Sequence, residues 1–288
     1  MARLGFCGLG VMGYPMAGHL AKHQHDVAVF NRTSTVAEKW VSEHRGHSFA
    51  TAREVAENSD IVMLCVGNDD DVRSVIGGPD GILAGARPGL VVVDHTTTSA
   101  ELAKEIAALC AAAGVVFIDA PVSGGEAGAQ NGVLTVMCGA DSQEAFDSFA
   151  VIAEAYSRSC VRLGGVGSGQ LAKMVNQICI AGVVQGLSEA LAFAEHAGLD
   201  PHAVVDVISK GAAQSWQMEN RGHTMIDDSF DFGFAVEWMI KDLGFCVEEA
   251  RRNGSQLPIT ELVLSYYKEL ASSGGERLDT SSLIRRLR

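Results

Sequence analysis

The first part of the chain alternates short apolar runs with stretches of helical periodicity, and this alternation restricts the fold more than any other feature. The first five runs are residues 4–7, 27–30, 61–66, 90–94 and 115–119. Strands this apolar are covered on both faces, which is typical of a parallel sheet with helices on each side. Two later runs, residues 133–138 and 160–163, extend the sheet. The pattern predicts an α/β fold with a doubly wound parallel sheet, that is, a Rossmann domain.

Capping boxes mark helix starts between the predicted strands. In each box a threonine is followed three residues later by a glutamate, so that both side chains can bond backbone N–H groups at the start of a helix. The pairs are Thr35–Glu38, Thr51–Glu54 and Thr98–Glu101. We therefore expect helices to begin directly after these threonines.

The pattern changes after the glycine-rich residues 164–169. Helical periodicity then continues to about residue 197, and the remaining sequence is helical in pattern throughout. The chain is long enough for two domains. We predict a Rossmann domain over residues 1–164 and a C-terminal all-α domain over residues 165–288, joined by one long helix.

Composition and charge narrow the class of protein. The formal net charge is −13, which disfavours binding to nucleic acid or to an anionic membrane because both are polyanions. Residues 178–194, the most apolar long segment, contain three polar residues and are predicted to form a buried helix rather than a membrane span. The seven cysteines include no CxxC pair, and the first strand leaves no room for a signal peptide, so we expect a cytoplasmic protein. His19 and His23 have the spacing of metal ligands, but no third ligand is evident, so we predict no metal site.

A glycine motif follows the first apolar run and opens the first predicted helix. Gly8 allows a tight turn, Gly10 lets a phosphate approach the backbone, and Gly13 lets the helix pack on the strand. The start of the helix adds N–H donors and the positive end of the helix dipole. Between a strand and a helix, the motif predicts a dinucleotide-binding loop. The contacting residues would be Gly8, Leu9, Gly10, Val11, Met12 and Gly13.

The residues after the second apolar run favour NADP(H). A site for NAD usually has a carboxylate there to accept the ribose hydroxyls. This chain instead has Asn31, Arg32 and Thr33. Arg32 can form a charge-assisted contact with a 2′-phosphate, although it could also lie over solvent or stack on adenine. We predict NADP(H) as the preferred cofactor and NAD(H) as a second one.

The segment "DAPVSGG" leaves the carboxyl end of the fifth run, which is the edge where open α/β sheets bind ligands. Ser123, Gly124 and Gly125 can present a hydroxyl and unhindered N–H groups to a small carboxylate. The alternative is that these glycines only form a turn.

Lys173, Asn176 and Gln177 share one face of the long helix because they are three and four residues apart. The helix is otherwise mainly apolar here, and unpaired polar groups are costly inside a protein. A cleft between the domains would explain them. Lys173 could then exchange a proton with a substrate oxygen while hydride moves to or from the nicotinamide. The alternative is a lysine that extends to solvent at a domain edge.

Together these motifs resemble the β-hydroxyacid dehydrogenase family, which includes 3-hydroxyisobutyrate dehydrogenases, tartronate semialdehyde reductases and glyoxylate/succinic semialdehyde reductases. The resemblance covers nearly the whole chain. It depends on "GLGVMGYPMAGHL", on "DAPVSGG" followed by "NGVLTVMCGA", on "KDLGF", and on the spacing of Gly164, Gly167, Gly169, Lys173 and Asn176. It implies an NADP(H)-dependent oxidoreductase that interconverts a small β-hydroxyacid and its semialdehyde.

The resemblance also implies roles for the residues near the substrate. Lys173 would be the general acid when a carbonyl is reduced and the general base in the reverse direction. Asn176 and its neighbour Gln177 would hold the substrate. Residues 123–125 would bind its carboxylate.

Further implied roles concern the cofactor and the assembly. Val66, Thr96 and Lys241 would contact the cofactor, the last two near its nicotinamide end, whereas Asp242 would position its helix. The all-α domain would bind substrate and form a homodimer or homotetramer through its long helix.

Two other functions remain open. An imine reductase shares this two-domain architecture but typically lacks the lysine, and a non-catalytic NADP-binding scaffold would have no use for the lysine and its polar neighbours. The substrate itself cannot be named from the sequence. Trp216 could form an apolar wall and Arg221 could meet a second anionic group, or both could be packing residues; Phe232 is equally open.

Overall fold

The computed structural model describes residues 2–288, and the chain forms two compact units, Met1–Lys173 and Met174–Arg288. The first unit contains a single mostly parallel sheet with helices, and the second unit is helical. This confirms the predicted fold class, an α/β Rossmann domain followed by an all-α domain.

Nine strands form the sheet of the first unit. Seven of them correspond to the seven apolar runs, whereas β3 and β7 are two-residue strands that the pattern did not predict. The strands are β1 (Arg3–Cys7), β2 (Asp26–Phe30), β3 (His47–Ser48), β4 (Ile61–Leu64), β5 (Val91–Asp94), β6 (Val116–Asp119), β7 (Val122–Ser123), β8 (Leu134–Ala140) and β9 (Ser157–Gly164).

The first six strands are parallel and lie in the order β3-β2-β1-β4-β5-β6. The chain order therefore reverses between β1 and β4. At such a reversal the loops that follow the two strands separate to opposite sides of the sheet, which leaves a crevice at their carboxyl ends. This crevice lies beside the glycine motif.

The sheet is not parallel throughout, because β8 runs antiparallel to β6 and β7 and parallel to β9. β7 follows β6 after only Ala120 and Pro121. The chain then turns back, so that Ser123 pairs with Thr135 and Val122 with Val136. The two-residue strand therefore forms an antiparallel pair with β8, which the apolar pattern did not predict.

Eight helices belong to the first unit in the described chain: α1 (Gly13–Lys22), α2 (Ser34–Glu43), α3 (Ala52–Glu57), α4 (Asp69–Gly77), α5 (Ile82–Gly85), α6 (Ala100–Ala112), α7 (Gly125–Gln130) and α8 (Gln143–Ala153). Only the capping box at Thr51 is confirmed. α2 begins earlier than predicted, after Thr33. α6 is capped by the hydroxyl of Ser99 rather than by Thr98, whose N–H is bonded to Gln170.

Alternate residues of the central strands face opposite sides of the sheet. Phe6 and Val29 pack in a core with residues of α1, α2 and α8. Ala28 and Val62 pack in a second core with residues of α3, α4 and α6. Both faces of the central sheet are covered, which explains why successive residues within its central strands are apolar.

The second unit is helical, as predicted. Its elements are α9 (Ser168–His196), which begins in the first unit, α10 (Pro201–Ile208), α11 (Trp216–Ile226), α12 (Val236–Asn253), α13 (Pro258–Leu270), a π-helical turn (Ala271–Gly275) and a 3₁₀ helix (Thr280–Leu287). Leu187 and Leu191 of α9 pack with Val205, Met225 and Ile284 in its core.

α9 is the one helix among residues 2–288 that is long and apolar enough to cross a membrane by length and composition. It has 29 residues, and half of its apolar window is buried inside the protein. Gln185 and Ser188 are among the buried positions, so the helix that was predicted to be buried is buried over half of this window.

Candidate active site

The glycine loop lies where the strand order reverses, between β1 and α1. Gly8 has a φ of +93°, and a side chain there would collide with the backbone of Cys65 after β4. A Cβ at Gly13 would collide with the carbonyl oxygen of Gly8. Gly10 differs, because a Cβ there meets nothing within 4 Å. The loop is therefore tight against the sheet and open at Gly10, which fits the approach of a pyrophosphate to the backbone.

Asn31 connects the end of β2 to this loop. Its Oδ1 accepts the N–H of Leu9 at 2.9 Å, and its Nδ2 donates to the carbonyl oxygen of Thr33 at 3.0 Å. The carboxamide therefore orients the loop, a role that the sequence did not suggest.

Arg32 extends from the end of β2, and its side chain is 88% exposed. Its Nη1 lies 3.4 Å from Oδ1 of Asp71 in the first turn of α4. A pair this exposed is weak, so the guanidinium can exchange its partner for a phosphate. The neighbouring Asp71 lies 39 residues away in the sequence, which is why the local pattern did not indicate it.

Thr96 joins the ends of β4 and β5. Its Oγ1 accepts the N–H of Val66 at 3.0 Å, and its own N–H donates to Asp94 Oδ1 at 2.8 Å. Asp94 is fully buried, and burial raises the pKa of its carboxyl to about 7. The two predicted cofactor contacts, Val66 and Thr96, are thus held together at the same edge of the sheet as the glycine loop.

Two buried polar side chains near the start of α9 were not predicted as site residues. Asp119, at the end of β6, accepts hydrogen bonds from the N–H groups of Gly167 and Gln170. Burial raises the pKa of Asp119 to about 6, although these backbone hydrogen bonds oppose the rise. The Gln170 side chain bonds the backbone of Thr96 and Thr98. Gln170 precedes Lys173 by three residues, so the same helical spacing that singled out Asn176 could have indicated it.

His95 is excluded as an acid or base in this region. It is 2% exposed, and its ring nitrogens lie 2.7 Å from the carbonyl oxygen of Ala120 and 3.0 Å from the Tyr156 hydroxyl. Burial lowers the pKa of His95 to about 4, so it is neutral at pH 7 and belongs to the core.

Ser123, Gly124 and Gly125 form the tip between β7 and α7. Gly124 and Gly125 have φ of +135° and +62°, so both glycines are needed for a turn. A Cβ at Gly125 would nevertheless meet nothing within 4 Å, and the turn therefore leaves open space at its backbone. His19 of α1 lies 3.0 Å from the carbonyl oxygen of Ala129 in α7, which ties this segment to the helix of the glycine loop.

Lys173 ends the first unit and is only 8% exposed. In the second unit, Asn176 donates to Gln177 Oε1 at 2.7 Å, and Gln177 Nε2 donates to Asp242 Oδ2 at 2.8 Å. The Lys241 ammonium lies 3.0 Å from Asp242 Oδ1. The structure thus brings together the predicted residues of α9 and α12 within the second unit, and Asp242 connects them.

Arg221 is a packing residue. Its guanidinium carbon lies 5.0 Å from the centre of the Trp216 ring and 4.7 Å from that of Phe232. Its Nε is 3.3 Å from Oδ1 of the buried Asp279. Of the two interpretations that the sequence left open, the geometry favours packing over contact with a second anionic group.

Two family models match the chain in succession. Residues 3–165 match the NAD binding domain of 6-phosphogluconate dehydrogenase. Residues 167–287 match a model described as NAD-binding of NADP-dependent 3-hydroxyisobutyrate dehydrogenase. Together the two matches account for nearly all of the chain.

Individual relatives agree with these models. An uncharacterized oxidoreductase of Shewanella frigidimarina is 58% identical over 287 residues, covering 100% of this chain and 98% of the relative. The 2-hydroxy-3-oxopropionate reductase of Escherichia coli is 36% identical, covering 99% of this chain and 97% of its own length. A solved structure of Mycobacterium tuberculosis 3-hydroxyisobutyrate dehydrogenase with L-serine has a TM-score of 0.89 and 29% identity, covering 100% of this chain and 99% of that one.

Alanine is expected to affect cofactor binding at Gly10 and protein stability at Gly13. Gly10→Ala should leave the melting temperature unchanged because a Cβ there meets nothing, but it should weaken NADPH binding about tenfold or more, since the methyl occupies the space of the pyrophosphate. Gly13→Ala should lower stability by about 1–3 kcal/mol through overpacking. Thermal unfolding and NADPH titration of both variants check this. Wild-type affinity in Gly10→Ala would show that the pyrophosphate does not lie on this loop.

Proposed function

The chain belongs to the β-hydroxyacid dehydrogenase family and is an NAD(P)-dependent oxidoreductase acting on a hydroxyl group, and we propose that it interconverts a small carboxylate-bearing semialdehyde and the corresponding β-hydroxyacid, with NADP(H) as the preferred cofactor. The observation that carries the proposal is the placement of Lys173, 8% exposed on a mainly apolar helix. Lysine is among the residue types that are least often buried, and proton exchange with a substrate oxygen is a chemical reason to bury one on this helix.

Lys173 is the acid–base group of the proposed reaction. NADPH, when bound, supplies the hydride that adds to the carbonyl carbon of the substrate. As negative charge develops on the carbonyl oxygen, the Lys173 ammonium stabilises it and gives one proton from Nζ to form the hydroxyl. In the oxidation the neutral amine accepts the hydroxyl proton. Solvent then restores the starting protonation state.

The substrate carboxylate and its neighbouring groups are held by short polar segments. The Ser123 hydroxyl and the N–H groups of Gly124 and Gly125 bind the carboxylate, since that turn leaves open space at its backbone. Asn176 holds the substrate, and Gln177 orients Asn176 through their 2.7 Å hydrogen bond. The names of the relatives support this substrate class: one reduces a short hydroxy semialdehyde acid, and one was solved with L-serine, which carries both a hydroxyl and a carboxylate.

The cofactor contacts divide by the part of the dinucleotide that they hold. The glycine loop binds the pyrophosphate, Arg32 and Thr33 bind the 2′-phosphate, and Val66, Thr96 and Lys241 contact the cofactor elsewhere. Asn31 acts on the cofactor through the loop that it orients. The loop residues in this set are Gly8, Leu9, Gly10, Val11, Met12 and Gly13.

We place the cofactor-binding domain at residues 1–164 and the substrate and oligomerisation domain at residues 165–288, in a cytoplasmic homodimer or homotetramer. α9 supports the assembly, because an exposed stripe with the spacing of one helix face runs along it: Leu171, Val175, Cys179, Val183, Gly186, Ala190 and Phe193. Val175 and Phe193 are 61% and 71% exposed. A continuous apolar stripe of this kind is typical of an interface between copies.

Lys173→Ala should reduce kcat for the reduction of a carboxylate-bearing aldehyde by roughly 10²–10⁴-fold, the usual contribution of a general acid. The dissociation constant for NADPH should not change. NADPH absorbance measured with short semialdehydes, glyoxylate and imines checks this, with Lys210→Ala as the control because Lys210 is an exposed lysine of the second unit. Turnover of imines only, or NADPH binding without turnover of any compound, would favour an imine reductase or a scaffold instead.

Arg32→Asp should greatly weaken NADPH binding and leave NADH binding nearly unchanged, because only NADPH carries the 2′-phosphate. Asp71→Asn is the matched variant, since Asp71 competes with the phosphate for the guanidinium at 3.4 Å. It should strengthen NADPH binding, but by less than about tenfold because the pair is exposed. Equilibrium titrations with both nucleotides check this. An unchanged ratio of the two affinities in Arg32→Asp would place the phosphate contact elsewhere.

Val183→Asp combined with Phe193→Asp should convert the protein to monomers, because each change buries a carboxylate in the proposed interface. Sedimentation should give a multiple of the 30.4 kDa chain mass for the wild type and a single chain mass for the variant. Val151→Asp, at a 69% exposed position on α8, is the control and should keep the wild-type mass. A monomeric wild-type protein would show that the exposed stripe of α9 is not an interface between copies.

A further inference from the structure

Asp119 and Gln170, which we call the α9 clamp, hold the first turn of the long helix through side-chain hydrogen bonds. Asp119 Oδ1 accepts the N–H of Gly167 at 2.7 Å, and Oδ2 accepts the N–H of Gln170 at 2.9 Å. The Gln170 Oε1 accepts the N–H of Thr98 at 3.0 Å, and its Nε2 donates to the carbonyl oxygen of Thr96 at 2.8 Å. Both clamp residues are completely buried.

The surrounding backbone is shaped around the Asp119 carboxylate. A Cβ at Gly139 would collide with Asp119 Oδ1, and a Cβ at Gly169 would lie 2.8 Å from Oδ2. Gly167 adopts a φ of +92°, so its N–H can point at the carboxylate without strain. Gly139 and Gly169 thus make room for the buried carboxylate, and Gly167 directs its N–H at it.

A buried carboxylate is an energetically unfavourable group with which to cap the start of a helix. A serine or threonine hydroxyl satisfies a helix start, whereas burial of a charged group costs free energy unless it is fully hydrogen-bonded. What the carboxylate adds is a second acceptor at a fixed angle to the first. Two N–H groups held by two oxygens of one rigid group restrict both the position of the helix start and its rotation.

Lys173 lies close enough along α9 to be affected by this restriction. It follows Gln170 by three residues, so the two side chains project from the same side of the helix. The rise between them is roughly 4.5 Å, less than one turn of a continuously hydrogen-bonded helix. Any displacement of the first turn is therefore passed on to Lys173.

We propose that Asp119 and Gln170 are positioning residues for Lys173: the α9 clamp aims the Lys173 ammonium at the substrate oxygen by fixing the start of its helix. This inference rests on the proposed function, in which Lys173 donates the proton. Neither clamp residue touches substrate or gives up a proton in the reaction. They act only through the lysine.

A double-mutant cycle tests the inference, with Asp119→Asn, Lys173→Ala and the variant carrying both changes. Asparagine keeps the shape of the side chain but offers one acceptor oxygen, so one of the two N–H groups loses its partner. The rate of NADPH oxidation in a single turnover with saturating aldehyde is measured for all four proteins. We expect Asp119→Asn to reduce this rate about 100-fold, as a small misplacement of a catalytic group does, and to reduce it no further in the Lys173→Ala background. The KM for the aldehyde and the affinity for NADPH should stay near the wild-type values.

Asp141→Asn is the matched control for the clamp. Asp141 Oδ1 accepts the N–H of Val166 at 3.0 Å, so it bonds the same loop, but it is exposed and does not reach the first turn of α9. Its variant should retain the wild-type rate. If Asp119→Asn does not fold, Gln170→Met takes its place in the double-mutant cycle. Methionine keeps the length of the side chain but removes the hydrogen bonds of Gln170 to Thr96 and Thr98.

The two proposals fail in different ways. If Asp119→Asn, or Gln170→Met in its place, lowers the rate by the same factor with and without Lys173, the clamp does not act through the lysine and the inference is wrong. A wild-type rate in the folded clamp variant would also overturn it. If Lys173→Ala itself turns over normally, the proposed acid–base role of Lys173 fails, and with it the premise of the clamp.

Discussion

The hydrogen bonds between the buried Asp119 carboxylate and the first turn of α9 join the carboxyl edge of the sheet to the long helix. Ligands of open α/β sheets bind at this edge, and the loops after β1, β4, β5 and β6 all begin there. α9 begins in the first unit and continues through the second. In the proposed function, the position of Lys173 at the end of the first unit depends on how the helix starts, and the Asp119 carboxylate and the Gln170 side chain hold that start.

Close approach of backbone segments is the second constraint on the first unit. Gly8 and Gly13 bring β1, α1 and the end of β4 together, and a Cβ at either position would collide with main-chain atoms. Gly139 and Gly169 do the same around Asp119. Because these contacts leave no room for side chains, glycine stands at each of these positions in the sequence. Gly10, which has open space around it, is the exception and the position that a ligand would use.

Features that depend on a local pattern were predictable from the sequence, and those that depend on distant contacts were not. The apolar periodicity predicts seven strands and α9, whereas β3 and β7 have only two residues each and are too short to show a periodicity. The capping box at Thr51 formed, but the N–H of Thr98 bonds Gln170 instead, 72 residues away. Lys173 could be singled out because a lysine on an apolar helix is unusual. The link from Asp119 to α9 spans 48 residues, so no local pattern could indicate it.

The pH dependence of hydride transfer in a single turnover tests the central claim, that Lys173 gives the proton to the substrate oxygen. The enzyme with NADPH bound is mixed with a carboxylate-bearing aldehyde, and NADPH absorbance is followed from about pH 6 to about pH 10, a range in which amines and thiols titrate. We predict that the wild-type rate falls at high pH, where fewer protons are available for the substrate oxygen, and that Lys173→Ala shows a slow rate without this fall. The same decrease at high pH in both proteins would contradict the account.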